Sequence, residues 1–296
     1  MLQQTQVATA LPYFERFLTE FPSVSDLAAA KESEVLKLWA GLGYYSRARN
    51  LHQGSKIIAE RILNGQGFPD SREAWLAIPG VGEYTAGAVS SIAFNQREAI
   101  VDGNIERVLS RLNAWKKRDP KKKKAWIHAK ALVDEPAAEP RILNQALMEL
   151  GALICRPKNP KCEACPLTKE CKGRESPEKY PEPKPKTIWK HVSEEKWVLT
   201  RKKNRRLEIY LVQNLKGVWR QGLWDFPNPL PGKILDEVTL RKEFQSKYVV
   251  TNHKISRLHR VFELGSGDLR LGHWFSIQDL PGVPSPVSKV IRKLFF

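Results

Sequence analysis

The stretch CRPKNPKCEACPLTKEC, residues 155–171, decides most of the reading of this chain. It places Cys155, Cys162, Cys165 and Cys171 at the spacing C-x6-C-x2-C-x5-C, and the sequence has no other cysteine. Four thiols in one short loop are a ligand set for a metal centre. A disulfide framework would instead spread its partners through a small secreted chain. Structural zinc is usually held by two tight pairs, and here only the middle pair is tight. The wide outer spans favour a single [4Fe–4S] cube, with a zinc ribbon as the alternative.

Upstream of the loop the chain reads as helical. Apolar residues recur at three- and four-residue steps in VATALPYFERFL, EVLKLWAGL and NLHQGSKIIAERIL. Ser33 ahead of EVLKLW, Ser71 ahead of REAWLAI and Pro140 ahead of RILNQALMELGALI read as helix starts. Downstream, ESPEKYPEPKPKT (175–187) is rich in proline and charge and reads as an extended linker. Strand patterns follow. Trp197–Thr200 and Leu207–Val212 flank the polar turn KKNRR as a hairpin, and 257–264 and 269–277 are further strands. Helices are expected over about 235–247 and 286–296. The expected architecture is therefore multi-domain: an all-α domain over 1–172 carrying the cysteine loop, a linker over 173–192, and an α+β domain over 193–296.

The 296 residues carry a formal charge of +17, an excess that favours a polyanionic partner such as nucleic acid. Two basic runs concentrate it, Lys116 to Arg118 and Lys121 to Lys124, though each alone reads as a solvated face. No apolar run nears the roughly 20 residues needed to span a bilayer. MLQQTQVATALPYF lacks the basic and apolar regions of a signal peptide. A cytoplasmic, membrane-free monomer is expected.

Two further segments carry chemistry. Ile78-Pro79-Gly80-Val81-Gly82 lies between two helical patterns and reads as a helix-hairpin-helix. Gly80 and Gly82 let the backbone approach a DNA phosphate, which the N–H groups opening the next helix can bind, with Thr85 following. Asp102, in Val101-Asp102-Gly103-Asn104, precedes the helix IERVLSRL, where on its own it reads as a helix cap.

Hairpin, loop aspartate and four-cysteine loop together resemble the DNA glycosylase superfamily of endonuclease III. Within it, MLQQTQV, GLGYYSRARNLH, IPGVGEYTAGAV, VDGNIERVL and NQALMELGALIC are similar to the adenine DNA glycosylases, which remove adenine mispaired with 8-oxoguanine. The bifunctional branch places a nucleophilic lysine just after the hairpin. Here Glu83-Tyr84-Thr85 stands there, which suits the monofunctional branch. The resemblance implies a [4Fe–4S] cluster on the four cysteines and double-stranded DNA with A:8-oxoguanine or A:G mispairs as partner. It also implies that Asp102 is the sugar-side carboxylate, with Asn104 and Tyr84 around it. Gln145 is implied to contact the flipped adenine, and Leu2, Gln3, Gln4 and Tyr44 to line the pocket or wedge into the duplex.

The family's general acid is a Glu two residues before the Met of MLQQTQ, here Met1, so that Glu and the first helix are expected outside this sequence. A start assigned at an internal Met is the favoured explanation. A true truncation, leaving a catalytically impaired mismatch-binding protein, is the alternative. Residues 193–296 resemble the family's Nudix-like C-terminal domain, without the Nudix glutamates in LDEVTLRKEFQSKYVV. Where the family presents Phe-Ser-His to 8-oxoguanine, the nearest stretch is Leu258–Leu264, with Phe262 as its candidate aromatic.

Overall fold

The computed structural model describes residues 1–296 except 4, 118, 184, 186, 216–219, 230–237, 265–268 and 270. Its helices are α1 (Val7–Glu20), α2 (Val24–Ala29), α3 (Glu32–Trp39), α4 (Ser46–Leu63), α5 (Arg72–Leu76), α6 (Glu83–Phe94), α7 (Gly103–Leu112), α8 (Lys123–Asp134) and α9 (Pro140–Glu149). Strands β1 (Lys190–Lys203), β2 (Arg206–Gln213), β3 (Trp224–Asp225), β4 (Val238–Val250), β5 (His253–Leu264) and β6 (His273–Ser276) follow, then α10 (Ser285–Phe295). The chain forms two compact units, Glu60–Lys186 and Met1–Ala59 with Thr187–Phe296.

In Glu60–Lys186 the core is built on α7. Ile105, Val108 and Leu109 recur at helical spacing and pack with Ile100, Ala125, Ala129, Val133 and Leu147. Ser71 caps α5 as expected, its hydroxyl accepting from Ala74 N at 3.2 Å, and Pro140 opens α9. The helix expected to run on to residue 154 changes character at Leu150, where Leu150–Ile154 forms a π-helical turn leading into the cysteine loop. The proline-rich stretch is held against its own unit over its first half. Arg111 Nε donates to Pro177 O (2.9 Å) and Tyr180 O (3.2 Å), and Glu182 N donates to Lys116 O at 2.9 Å.

In the other unit, α1 to α4 gather Phe17, Phe21, Leu27, Val35, Leu36 and Trp39 into a core. Ser33 does not cap α3. The helix starts at Glu32, and Glu34 accepts from Lys31 N at 2.9 Å, so the carboxylate does the work expected of the serine. Leu223, from the GLWDFPN segment, is fully buried in this helical core. Compactness therefore groups residues 1–59 with the C-terminal region, a grouping that boundaries drawn from composition at 172 and 193 do not contain.

The C-terminal sheet is mixed, in the order β3-β2-β1-β5-β4, with β6 also on β2. β1 pairs parallel with β5; the other pairs are antiparallel. The expected hairpin is β1–β2, turned through Asn204 and Arg205 at φ of 49° and 62°. Val198 faces Val287, Val290 and Ile291 of α10, while Trp197 and Leu199 face the opposite core with Tyr210 and Phe262. That alternation is the period of two expected of a strand.

The helix expected over 235–247 is instead β4, over its described residues. Phe244, Ser246, Tyr248 and Val250 are half-buried while the residues between them are exposed. Leu240, Phe244 and Tyr248 lie four apart, a spacing that fits a helix face and a strand face equally. Phe262 is also not a loop residue. It lies within β5, buried, with its ring 4.6 Å from that of Trp197.

Candidate active site

The hairpin is formed as its sequence requires. Val81 N donates to Ile78 O at 3.1 Å, and Gly80 sits at φ +77°, where a side chain would be strained. Gly82 is the N-cap of α6 and supplies no side-chain acceptor; the position its Cβ would take is open space. The opening of α6 is thus accessible to an external anion. Glu83 is ion-paired with Arg72, and Thr85 is half-buried. Further along α6, a Cβ on Gly87 would lie 2.4 Å from Ala99 O. This close approach seats the helix against the extended segment that ends at Asp102.

Asp102 caps α7, as its position in the sequence suggested, and does more than cap. Its Oδ1 accepts from the N–H of Asn104 (2.8 Å) and Ile105 (2.7 Å), and its Oδ2 accepts from the Asn104 side-chain amide at 3.0 Å. The carboxylate is half-buried and fixed in orientation. Tyr84 stands by it. Burial and the negative charge of Asp102 push the Tyr84 phenol above its ordinary pKa, so it stays protonated and donates to Met148 Sδ at 3.0 Å. Gln145 is half-buried on α9, its amide donating to Arg141 O at 3.1 Å.

Two arginines outside the set expected from sequence join this carboxylate to the cysteine loop. Arg107 donates to Asn104 Oδ1 (2.9 Å), Gly151 O (2.7 Å) and Cys155 O (2.7 Å). Burial pulls its pKa down, and the charges of Cys155 and Asp102 act the other way. Arg111, one turn on and buried, donates to Arg156 O (2.7 Å), Pro157 O (3.1 Å) and Cys155 Sγ (3.4 Å). Their four-residue spacing on α7 was a visible signal, but on a surface helix the same spacing describes a solvated ridge.

The four cysteines are unbridged and together line one small cavity of about 30 Å³ beside Arg111 and Arg174. Burial and the neighbouring thiolates push the Cys162 thiol above its ordinary pKa, and the same influences act on Cys171. Among the described residues no three such side chains are drawn in to direct metal-ligating spacing. A convergent set of four soft donors that repel one another when ionised is nonetheless the donor set that a cationic iron–sulfur core fits.

The remaining sequence candidates lie in the other unit. Tyr44 is 49% exposed and held at φ +48°, between Gly43 at +79° and the start of α4. A non-glycine residue in this left-handed region is held there by its surroundings, and the Arg47 guanidinium lies 5.5 Å from the Tyr44 ring centre. Arg47 ties this turn to the N-terminal segment, donating to Met1 O (2.8 Å), Thr5 Oγ1 (3.1 Å) and Gly43 O (3.3 Å), and to Gln3 O. Leu2 and Gln3 are exposed; Gln4 lies outside the described residues.

Residues 1–133 match the model of the HhH-GPD superfamily of base excision DNA repair proteins. The adenine DNA glycosylase of Buchnera aphidicola (subsp. Baizongia pistaciae) is 32% identical over 312 residues, covering 99% of this chain and 87% of that protein. The chain belongs to the adenine DNA glycosylase family. The human adenine DNA glycosylase is 46% identical over 180 residues, and that match spans 32% of the human protein, about a third. Among solved structures, a thermostable thymine-DNA glycosylase aligns at 31% identity with a TM-score of 0.53, covering 59% of this chain and 80% of that one. Among its described residues, no helix of this member of the adenine DNA glycosylase family is long and apolar enough to cross a membrane.

Proposed function

We propose that this chain is a monofunctional DNA N-glycosylase that hydrolyses the bond between adenine and deoxyribose when adenine is mispaired with 8-oxoguanine or guanine. The observation that carries the reading is Asp102, its carboxylate oriented by Asn104 and Ile105 beside a protonated Tyr84.

The adenine must first leave the helical stack, which costs a few kcal/mol. The phosphate contacts that hold the strand during this step are assigned to the opening of α6 at Gly80, Gly82 and Thr85. Leu2, Gln3, Gln4 and Tyr44 are assigned to the vacated stack and Gln145 to the base. The C1′–N9 electron pair then departs with the base, leaving positive charge on the sugar ring. An oriented carboxylate stabilises that charge and directs water to C1′, as in glycoside hydrolysis. Asn104 keeps Oδ2 aimed, and Arg107 keeps Asn104 aimed. No lysine stands at Glu83–Thr85 to form a Schiff base.

Cys155, Cys162, Cys165 and Cys171 are proposed to hold a [4Fe–4S] cluster. When bound, it supplies a charge-compensating cross-link that closes the loop. Through Arg107 and Arg111 that loop is tied to the helix Asp102 caps. The domain reading follows the sequence: a glycosylase domain over 1–172 and a Nudix-like mispair-recognition domain over 193–296, supported by the mixed sheet with α10 on one face.

The test uses the full chain. Free adenine is measured from duplexes containing A:8-oxoguanine, A:G or A:T, with borohydride added to trap any covalent adduct. Adenine release from the two mispairs without an adduct is expected. A trapped adduct, or equal release from A:T, would sink the reading.

A further inference from the structure

The unit formed by Met1–Ala59 and Thr187–Phe296 contains a concave site of which the glycosylase reading uses only Tyr44. A cavity of about 840 Å³ is walled by the turn at Gly43–Arg49, by β4 and by α10. Its volume is that of a small-molecule site. Arg49, Arg220, Lys247, Lys289 and Lys293 line it, and among the described residues no Asp or Glu does. Three of these cations are held in place. Arg49 is fixed by Glu32 at 3.2 Å and by Gln221 O. The Arg220 guanidinium lies 5.0 Å from the Tyr248 ring centre and 3.5 Å from Asp225, and Lys293 Nζ lies 5.1 Å from the Phe244 ring centre. Lys247 and Lys289 are exposed and carry no ion pair among the described residues.

Beneath β4 the support is rigid. Tyr248 donates to Glu194 at 2.5 Å, Glu194 accepts from Arg257, and Arg257 is fully buried and bidentate to Asp225 at 2.8 and 3.1 Å. The carboxylates thus stand behind the cations, where they fix geometry without filling the cavity. Tyr44 adds an exposed aromatic residue to the lining.

We propose that this cavity binds a free nucleoside 5′-polyphosphate, its phosphates among the five cations and its base against Tyr44. A nucleic-acid strand spreads one charge per nucleotide along its length. Five cations converging on one cavity match the several charges that a polyphosphate concentrates in one molecule, and preorganised cations bind such oxygens through charge-assisted hydrogen bonds.

Calorimetric titration of the full chain, free of DNA, with dATP, with inorganic triphosphate and with a duplex oligonucleotide tests this. The expected result is saturable dATP binding, tighter than that of inorganic triphosphate. Lys247→Glu with Lys289→Glu should weaken it at least about tenfold. Lys56→Glu, an equal charge change per site on an exposed residue outside the cavity, should leave it unchanged. Equal weakening by Lys56→Glu would reduce the site to general polyanion attraction and overturn the proposal. Equal affinity for triphosphate and dATP would remove the base from it and overturn it as well. Binding of duplex but not of dATP would assign the cavity to a nucleic-acid strand instead.

Discussion

Substituting Gly151 tests how tightly the cysteine-loop side of the structure sets Asp102, the carboxylate proposed for catalysis. Gly151 lies in the π-helical turn, packed against the start of α7. A Cβ there would sit 2.7 Å from Asn104 Cβ and 3.2 Å from Asn104 C and O. Carbon atoms settle at about 3.5–4.0 Å, so Gly151→Ala must part the two segments by roughly 1 Å. Asn104 reaches Asp102 through bonds of 2.8 and 3.0 Å, and a displacement of that size takes both past hydrogen-bonding range. Strain of this kind costs about 1–3 kcal/mol of stability, and misplacing a catalytic group by about 1 Å costs on the order of 10²-fold in rate. Single-turnover adenine excision from an A:8-oxoguanine duplex, beside urea unfolding, measures both. A variant that excises at the wild-type rate would refute the claim that Asn104 and Asp102 are held by this contact.

Three further outcomes are expected. Leu223→Ala empties a fully buried site in the helical core of α1 to α4, and urea unfolding should show a loss of about 2–5 kcal/mol; a loss under about 1 kcal/mol would mean that the C-terminal segment does not complete that core. His259 is packed against Phe244 and Phe226, bonded to Ser246 at 2.8 Å, and close to Arg257, Asp225, Glu194 and Lys293; burial first and then Arg257 lower its pKa from 6.5 to about 4. The unfolded chain therefore binds a proton that the folded chain refuses between these values, so stability is full above pH 6.5 and falls toward pH 4, by up to about 3 kcal/mol, and His259→Phe should flatten the slope measured by thermal melting. Anaerobically purified protein should be brown with iron near four per chain on the proposed cluster, and Cys162→Ser should lose colour and duplex binding together; colourless wild-type protein would remove the cluster from the account.

Local chemistry made much of the candidate site legible. Gly80, the Ser71 cap, Pro140 and Asp102 each act within a few residues of themselves, so their neighbours in sequence are their partners in space. Arg107 and Arg111 were not legible, because most of their acceptors are carbonyls some 44 to 69 residues away that no side-chain pattern announces. Leu223 could be read as an apolar residue but not as part of a helical core formed by residues 17–48. β4 was misread because spacings of four satisfy two periods at once. Phe262 was misassigned for a related reason: an aromatic near a family motif says nothing of which face of a strand it occupies, and here that face is the core beside Trp197.

Asp102 is where the proposed chemistry is most directly exposed to refutation. Adenine release from an A:8-oxoguanine duplex should fall by at least about 10²-fold in Asp102→Asn, while affinity for the same duplex is retained. An Asp102→Asn variant that releases adenine as fast as its parent would contradict it.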